Sequence, residues 1–149
     1  MPCWELAQLN IAKLLAPIDS PILADFVSEL DWINLLAEQS PGFIWRLQSD
    51  VSNATELAHP FGDDTIVNMS VWDNVASLHD FTYRTVHAEV MSHRKKWFAR
   101  MSGTYSVLWW VPQGHRPTTQ TAQERLKLIT ERGPNSEAFS FKQVFEKPS

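Results

Sequence analysis

Apolar and polar side chains alternate along residues 4–12, WELAQLNIA, with Gln8 and Asn10 on one face. A period of two over this length predicts a strand. Pro17, Ile18, Asp19, Ser20 and Pro21 then punctuate the chain, and Ser20 is placed to cap a helix whose first residue is Pro21. Leu23, Phe26, Val27, Leu30, Ile33, Leu36 and Ala37 recur at helical spacing. Ser40, Pro41 and Gly42 should end that helix, because proline and glycine both break it.

Residues 43–48, FIWRLQ, predict a second strand, with Phe43, Trp45 and Leu47 on one face and Ile44, Arg46 and Gln48 on the other. A polar loop fills 49–64. In 65–72, TIVNMSVW, Ile66, Asn68, Ser70 and Trp72 alternate with Val67, Met69 and Val71, the pattern of a third strand. Asp73 and Asn74 offer an N-cap for a long helix reaching about Met101, broken at Gly103. Residues 105–111, YSVLWWV, are dense in strand formers. After a loop at 112–117, Thr118 can cap a helix through Arg132, ended by Gly133 and Pro134, and 139–145, FSFKQVF, reads as a short fifth strand.

The order β-α-β-β-α-β, followed by α-β, predicts an α+β protein with a ferredoxin-like antiparallel sheet and two helices on one face. It reads as one domain over 1–149, with a core at about 4–112 and an α-β extension at about 113–146. The second face of the sheet would be apolar and uncovered. Burying it against another copy is the usual solution, so a homodimer is expected.

Composition narrows the class. Apolar residues are 44% and charged residues 20% of the chain, ordinary for a globular domain and incompatible with disorder. No apolar run approaches the ~20 residues that span a bilayer. The N-terminus lacks a basic segment followed by an apolar stretch, and a single cysteine, Cys3, fits a reducing compartment, so a cytoplasmic location is expected. The net charge of −4 argues against a nucleic-acid partner, and the short basic cluster of His93, Arg94, Lys95, Lys96 and Arg100 reads as a solvated helix face. Tryptophan is in excess, seven against two tyrosines. Trp109 and Trp110 are adjacent in one strand and must point to opposite faces, so the excess is divided between the two sides of the sheet.

Several stretches together are similar to those of a known bacterial family. They are Glu5–Ala12, Val67–Trp72, His87–Met91 with Trp97 and Phe98, and above all Leu108–Pro112 with Gly114–Thr118. The chain resembles, over about 4–145, the family called domain of unknown function 3291. The resemblance implies the dimeric α/β-barrel superfamily, which holds cofactor-independent monooxygenases, haem-degrading monooxygenases, isomerases and regulatory binding modules. The fold does not choose among them.

The candidate chemistry sits on the second predicted helix and on strands one and three. Tyr83, His87, Val90, Met91, Arg94 and Trp97 fall on one helical stripe. Facing the sheet, Tyr83, His87 and Arg94 would be polar groups in an apolar cavity, the default place for a ligand. His87 can exchange a proton near neutral pH; equally, it can be a half-buried histidine bonded to a neighbour. Asn10 and Asn68 can polarise a ligand oxygen. Trp72 and Trp45 can stack on a flat ring, or Trp72 can simply pack between sheet and helix. In the superfamily's haem-degrading members the working set is an Asn on the first strand, a Trp ending the third and a His on the second helix. Asn10, Trp72 and His87 are similar in type and element, with His79 as a possible substitute for the histidine. His115 and Arg116 precede a helix N-terminus that favours an anion, although Arg116 can instead pair with an acidic residue. The ligand spacings of a zinc site and the glycine-rich loop of a nucleotide site are not found in the sequence.

The expectation is therefore a small homodimer that binds a flat hydrophobic or aromatic molecule without a cofactor. Catalytic roles would fall to His87, Asn10, Asn68 and Trp72, and binding roles to Tyr83, Arg94, Trp45, His115 and Arg116. The alternative is a non-catalytic module that binds such a ligand or haem.

Overall fold

The computed structural model describes residues 3–16, 20–47, 65–84 and 105–148. Strands β1 (Trp4–Lys13), β2 (Phe43–Arg46), β3 (Thr65–Trp72) and β4 (Ser106–Pro112) form one sheet in the order β2-β3-β1-β4. Every neighbouring pair is antiparallel. Helices α1 (Ala24–Gln39) and α2 (Val75–Arg84) follow β1 and β3, and α3 (Thr119–Arg132) follows β4. The interleaved strand order is that of the expected ferredoxin-like α+β architecture. The rest of the second expected helix, beyond residue 84, lies outside the described residues.

The ends of the elements follow their local chemistry. Pro21 opens a single 3₁₀ turn, Pro21–Leu23, ahead of α1. Ser20 precedes it in extended backbone, but its hydroxyl makes no capping bond. The Asn74 side chain accepts from the Ser77 N–H at 2.8 Å and caps α2. Thr118 Oγ1 accepts from the Thr121 N–H at 3.1 Å and caps α3, as its sequence position predicts. Gly133, at φ +73°, ends α3.

Strand alternation divides the core in two. Leu6, Trp72 and Leu108 point to one face and pack with Ile33 and Ala37 of α1, Leu78 and Phe81 of α2, and Phe139. Ala7, Leu9, Ile11, Val67, Met69, Val71, Val107, Trp109 and Val111 point to the other and pack with Ala122 and Ile129 of α3 and with Ala138. The second face is therefore not left bare. Ala7, Val71 and Val107 are 0% exposed within one chain. This removes the uncovered face from which a homodimer was expected, because the C-terminal extension returns across it.

The extension then crosses the β4 edge. Ala138 joins the α3-side cluster and Phe139 the α1/α2-side cluster. Leu108 and Phe139 exchange both backbone hydrogen bonds, at 2.8 and 2.9 Å. Beyond this bridge the residues turn, and the fifth strand expected at 139–145 is replaced by isolated bridges such as Ser140↔Gln143. Trp110 Nε1 donates to the Phe145 carbonyl at 2.9 Å, which holds the turning segment down without a ladder.

Strand β2 departs from strict alternation. Its pairing with β3 shifts between Phe43 and Trp45. Phe43 packs with the α1/α2-side cluster, whereas Ile44, Trp45 and Leu47 pack with the α3-side cluster. The expected common face for Phe43, Trp45 and Leu47 is thus broken by a bulge, which re-aims the side chains that follow it.

Gly42 enters β2 at φ +88°, and its carbonyl accepts from the Asp73 N–H at 2.8 Å. A Cβ there would collide with the Asp73 and Ser77 side chains. Gly42→Ala should therefore destabilise the protein by about 2 kcal/mol or more, read as a lowered urea midpoint. Phe139→Ala, at a ring with 0% exposure, should cost about 3–5 kcal/mol in the same measurement.

Candidate functional site

The α1/α2 face of the sheet is apolar at Leu6 and Trp72, polar in its middle, and apolar again at Ala12 and Ile66. Register sets this division. Leu6 lies opposite Trp72, Gln8 opposite Ser70, and Asn10 opposite Asn68. All six are at even positions and share one face. Ser106, opposite Asn10 on β4, extends the polar middle.

The polar residues form a ladder. Gln8 Nε2 donates to Asn68 Oδ1 at 2.7 Å and to Ser70 Oγ at 2.8 Å. Trp72 Nε1 donates to the same Ser70 Oγ at 2.8 Å. Gln8 and Ser70 are buried, so these bonds satisfy groups that would otherwise be costly to desolvate. Asn68 is exposed in the middle of β3. Asn10, half-buried beside it, is outside the ladder. Asn10 and Asn68, both expected from sequence, are therefore brought together. Gln8 and Ser70 were not singled out as site residues. The available signal was their parity: polar residues at the same alternate positions as the two asparagines, in strands otherwise apolar.

Trp72 is 1% exposed. Phe81 stacks on its ring with centroids 5.4 Å apart, and Phe43 meets it edge-on, also at 5.4 Å. The ring is spent on packing and the N–H on Ser70. The ring face that stacks on Phe81 is thereby taken by packing. Trp45, on the α3 side beyond the bulge, cannot share a ligand with Trp72.

Tyr83 is 57% exposed. It forms an outer aromatic cluster with His79, at 4.5 Å between centroids, and Phe141, at 5.9 Å. His79 also meets Phe141 edge-on at 5.3 Å. Trp72 is stacked on Phe81, and His79 is held in this outer cluster.

Arg116 and His115 sit elsewhere. Glu5, on the α3 face of β1, accepts the Gly114 N–H at 2.9 Å, and Arg116 Nη1 lies 3.8 Å from the same carboxylate oxygen. Arg116 thus has an acidic neighbour in Glu5, and its loop is on the face opposite Asn68. His115 is exposed in that loop. His87 and Arg94 lie outside the described residues.

The ladder can position a ligand oxygen through amide N–H groups. Its members Gln8, Asn68, Ser70 and Trp72 contain no group that exchanges a proton near neutral pH. Among the described residues, no three His, Cys, Asp or Glu side chains group as metal ligands, and no helix is long and apolar enough to cross a membrane.

Comparison with known proteins adds a family. The family model described as "Domain of unknown function (DUF3291)" matches residues 5–149. No curated protein matches the chain. Among solved structures, the chain is similar to the NE2512 protein of unknown function from Nitrosomonas europaea, with 17% identity over 79% of this chain and 97% of that one, at a TM-score of 0.47. It is also similar to SnoaB, a cofactor-independent oxygenase from Streptomyces nogalater, with 16% identity over 76% of this chain and 95% of that one, at a TM-score of 0.45.

The ladder makes a thermodynamic prediction. Ser70→Ala strands the Trp72 N–H and one Gln8 hydrogen and should cost about 1–3 kcal/mol. Trp72→Phe should then cost less in the Ser70→Ala background than alone. A double-mutant cycle in urea should give a coupling of about 0.5–3 kcal/mol, and simple additivity would show the bond to be unimportant.

Proposed function

The chain belongs to the DUF3291 family, and from the site that this member builds we propose that it binds a small, flat hydrophobic or phenolic molecule on the α1/α2 face of its sheet. One observation carries the reading: an exposed asparagine amide, Asn68, is held from below by Gln8 on a face that is aromatic and aliphatic at its Trp72 end. A few placed polar groups beside apolar surface are what orient small molecules.

In this reading Asn68, with Asn10 opposite it, hydrogen-bonds an oxygen of the ligand. Trp72 packs and fixes Ser70 instead of stacking on the ligand. Trp45 and Arg116 belong to the other face and drop out of the site. His87, outside the described residues, is the proton carrier that the sequence offers. The reaction class is monooxygenase-like or isomerase-like without an organic cofactor. Both chemistries can begin by removing a proton from the substrate. The proton would pass to the His87 imidazole, and the oxyanion left behind would be stabilised by amide N–H groups. A second copy of the chain is not required by this site.

Binding is tested with 2-naphthol and the ¹⁵N-labelled protein. Shifts should concentrate on the Asn10 and Asn68 side-chain amides and on the Trp72 indole N–H, and Asn68→Leu should weaken binding about tenfold, the cost of roughly one hydrogen bond. Shifts confined to other surfaces would refute the site. His87→Ala should keep the unfolding midpoint and abolish turnover of any substrate that the wild type converts; undiminished turnover would remove its proton-transfer role.

A further inference from the structure

Where the C-terminal extension crosses the β4 edge it leaves a cleft of about 410 Å³. Half-buried Trp110 of β4 lines it, two strands away from Asn68. Helix α3 contributes Glu124, Arg125 and Leu128, and the turn that follows contributes Ser136 and Glu137. Internal bonds fix these walls. Asn135 Oδ1 accepts from the Glu137 N–H at 2.9 Å, and Asn135 Nδ2 donates to the Gly133 carbonyl at 2.9 Å. Arg125 Nη1 donates to the Glu137 carbonyl at 2.9 Å, which ties the turn to α3. The Trp110 N–H is spent on the Phe145 carbonyl, so the ring is held and offers the cleft its π surface, not its hydrogen. Two carboxylates are left over. Glu124 and Glu137 are exposed, and among the described residues no ion pair engages either of them.

We propose that this cleft is a second binding site, that it takes a small organic cation in the form of a primary ammonium on an apolar body, and that Trp110 and Leu128 receive the body while Glu124 and Glu137 hold the ammonium. Charge selects the class. Two carboxylates line the cleft against one guanidinium, and a single ammonium neutralises the excess. An indole is the strongest aromatic partner of a cation, so the apolar floor and the charge favour the same ligand. A primary ammonium has three hydrogens to give, and the two carboxylates and the Ser136 hydroxyl can all accept. An anion would find Arg125 alone, with one N–H already given to the Glu137 carbonyl, and would meet both carboxylates. The cleft shares no residue with the site around Asn68, so either site can fail without the other.

Three probes with one phenylethyl stem test this near neutral pH: 2-phenylethylamine, which ends in an ammonium, 2-phenylethanol, which is neutral, and 3-phenylpropanoate, which ends in a carboxylate. Binding is followed on the full chain by ¹H–¹⁵N spectra, at the Trp110 indole N–H and the Ser136 and Glu137 backbone amides. The expected result is binding of 2-phenylethylamine at least about tenfold tighter than of either other probe, weakening as salt is added. Glu124→Gln and Glu137→Gln change exposed side chains and should keep the urea midpoint. Each should weaken 2-phenylethylamine by about threefold and the pair together by about tenfold, with 2-phenylethanol unaffected. An amine preference that survives in the double variant would overturn the role of the carboxylates. Tighter binding of 3-phenylpropanoate would overturn the proposal in favour of an anion held by Arg125. Equal binding of all three probes would reduce the cleft to an apolar contact, and shifts at none of these groups would remove the site.

Discussion

Strand β1 is covered on both sides, and the rest of the molecule is arranged around that constraint. Leu6, Ala7 and Leu9 are 0–1% exposed although they point to different faces. Antiparallel sheets often leave one face to water. Here α1 and α2 pack on one face and α3 on the other, so a slip of one residue would exchange two differently shaped cores and carry Gln8 and Asn10 to the α3 side. The register to β3 and β4 is therefore specified from both directions. The same constraint accounts for the path of the C-terminal residues. They must reach both faces, and at Ala138 and Phe139 they divide between them across the β4 edge. The backbone pairing of Phe139 with Leu108 occupies part of an edge that would otherwise offer bare hydrogen-bonding groups.

Within this two-sided core the α1/α2 face carries an interruption. Apolar side chains at Gln8, Asn68 and Ser70 would continue the packing begun by Leu6 and Trp72. The protein keeps hydrogen-bonding groups there instead, satisfies them in series, and leaves one end of the series exposed. A polar run that breaks a buried face, with its internal bonds made, marks a place where packing has given way to recognition. The joint between the two regimes is Trp72. Its ring belongs to the aromatic core with Phe43 and Phe81, and its N–H belongs to the ladder. Elsewhere the indoles are less fully used: the buried N–H groups of Trp4 and Trp109 have no hydrogen-bond partner. Among the described residues, Trp72 and Trp109 serve volume as fully buried rings, and hydrogen bonding is added at Trp72 and at Trp110, which ties down Phe145.

Much of the architecture could be read along the chain because it is written in local periods. Alternation over 4–12 and 65–72, the strand formers of 105–111, the caps at Asn74 and Thr118 and the stop at Gly133 depend on neighbours in sequence, and they placed three strands, one whole helix and the start of another. The pairing of Asn10 with Asn68 was partly visible, since both lie at polar positions in alternating strands. Trp45 was misplaced because a bulge changes the face of a strand without changing its sequence pattern. The fifth strand was misread because aromatic residues such as Phe139 and Phe145 suit a sheet equally well as isolated anchors. The covered α3 face was missed because nothing in the order of elements says on which side a trailing helix returns.

The amino-acid sequence by itself determined which residues of β1 and β3 share a strand face, where α3 begins and ends, where α2 begins, and that asparagine, serine and glutamine interrupt one of those faces. These follow from backbone geometry, which repeats every two or 3.6 residues whatever lies nearby. The tertiary structure decided which interruptions meet. Gln8 and Ser70 are 62 residues apart and become bonded only through the β1–β3 register. It also decided that Arg116 answers to Glu5, that Trp72 is enclosed, and that Asn68 turns its amide outward. Those outcomes depend on distances between segments remote in sequence, and a hydrogen bond, unlike a hydrophobic period, exists only once both partners have been brought within about 3 Å of each other.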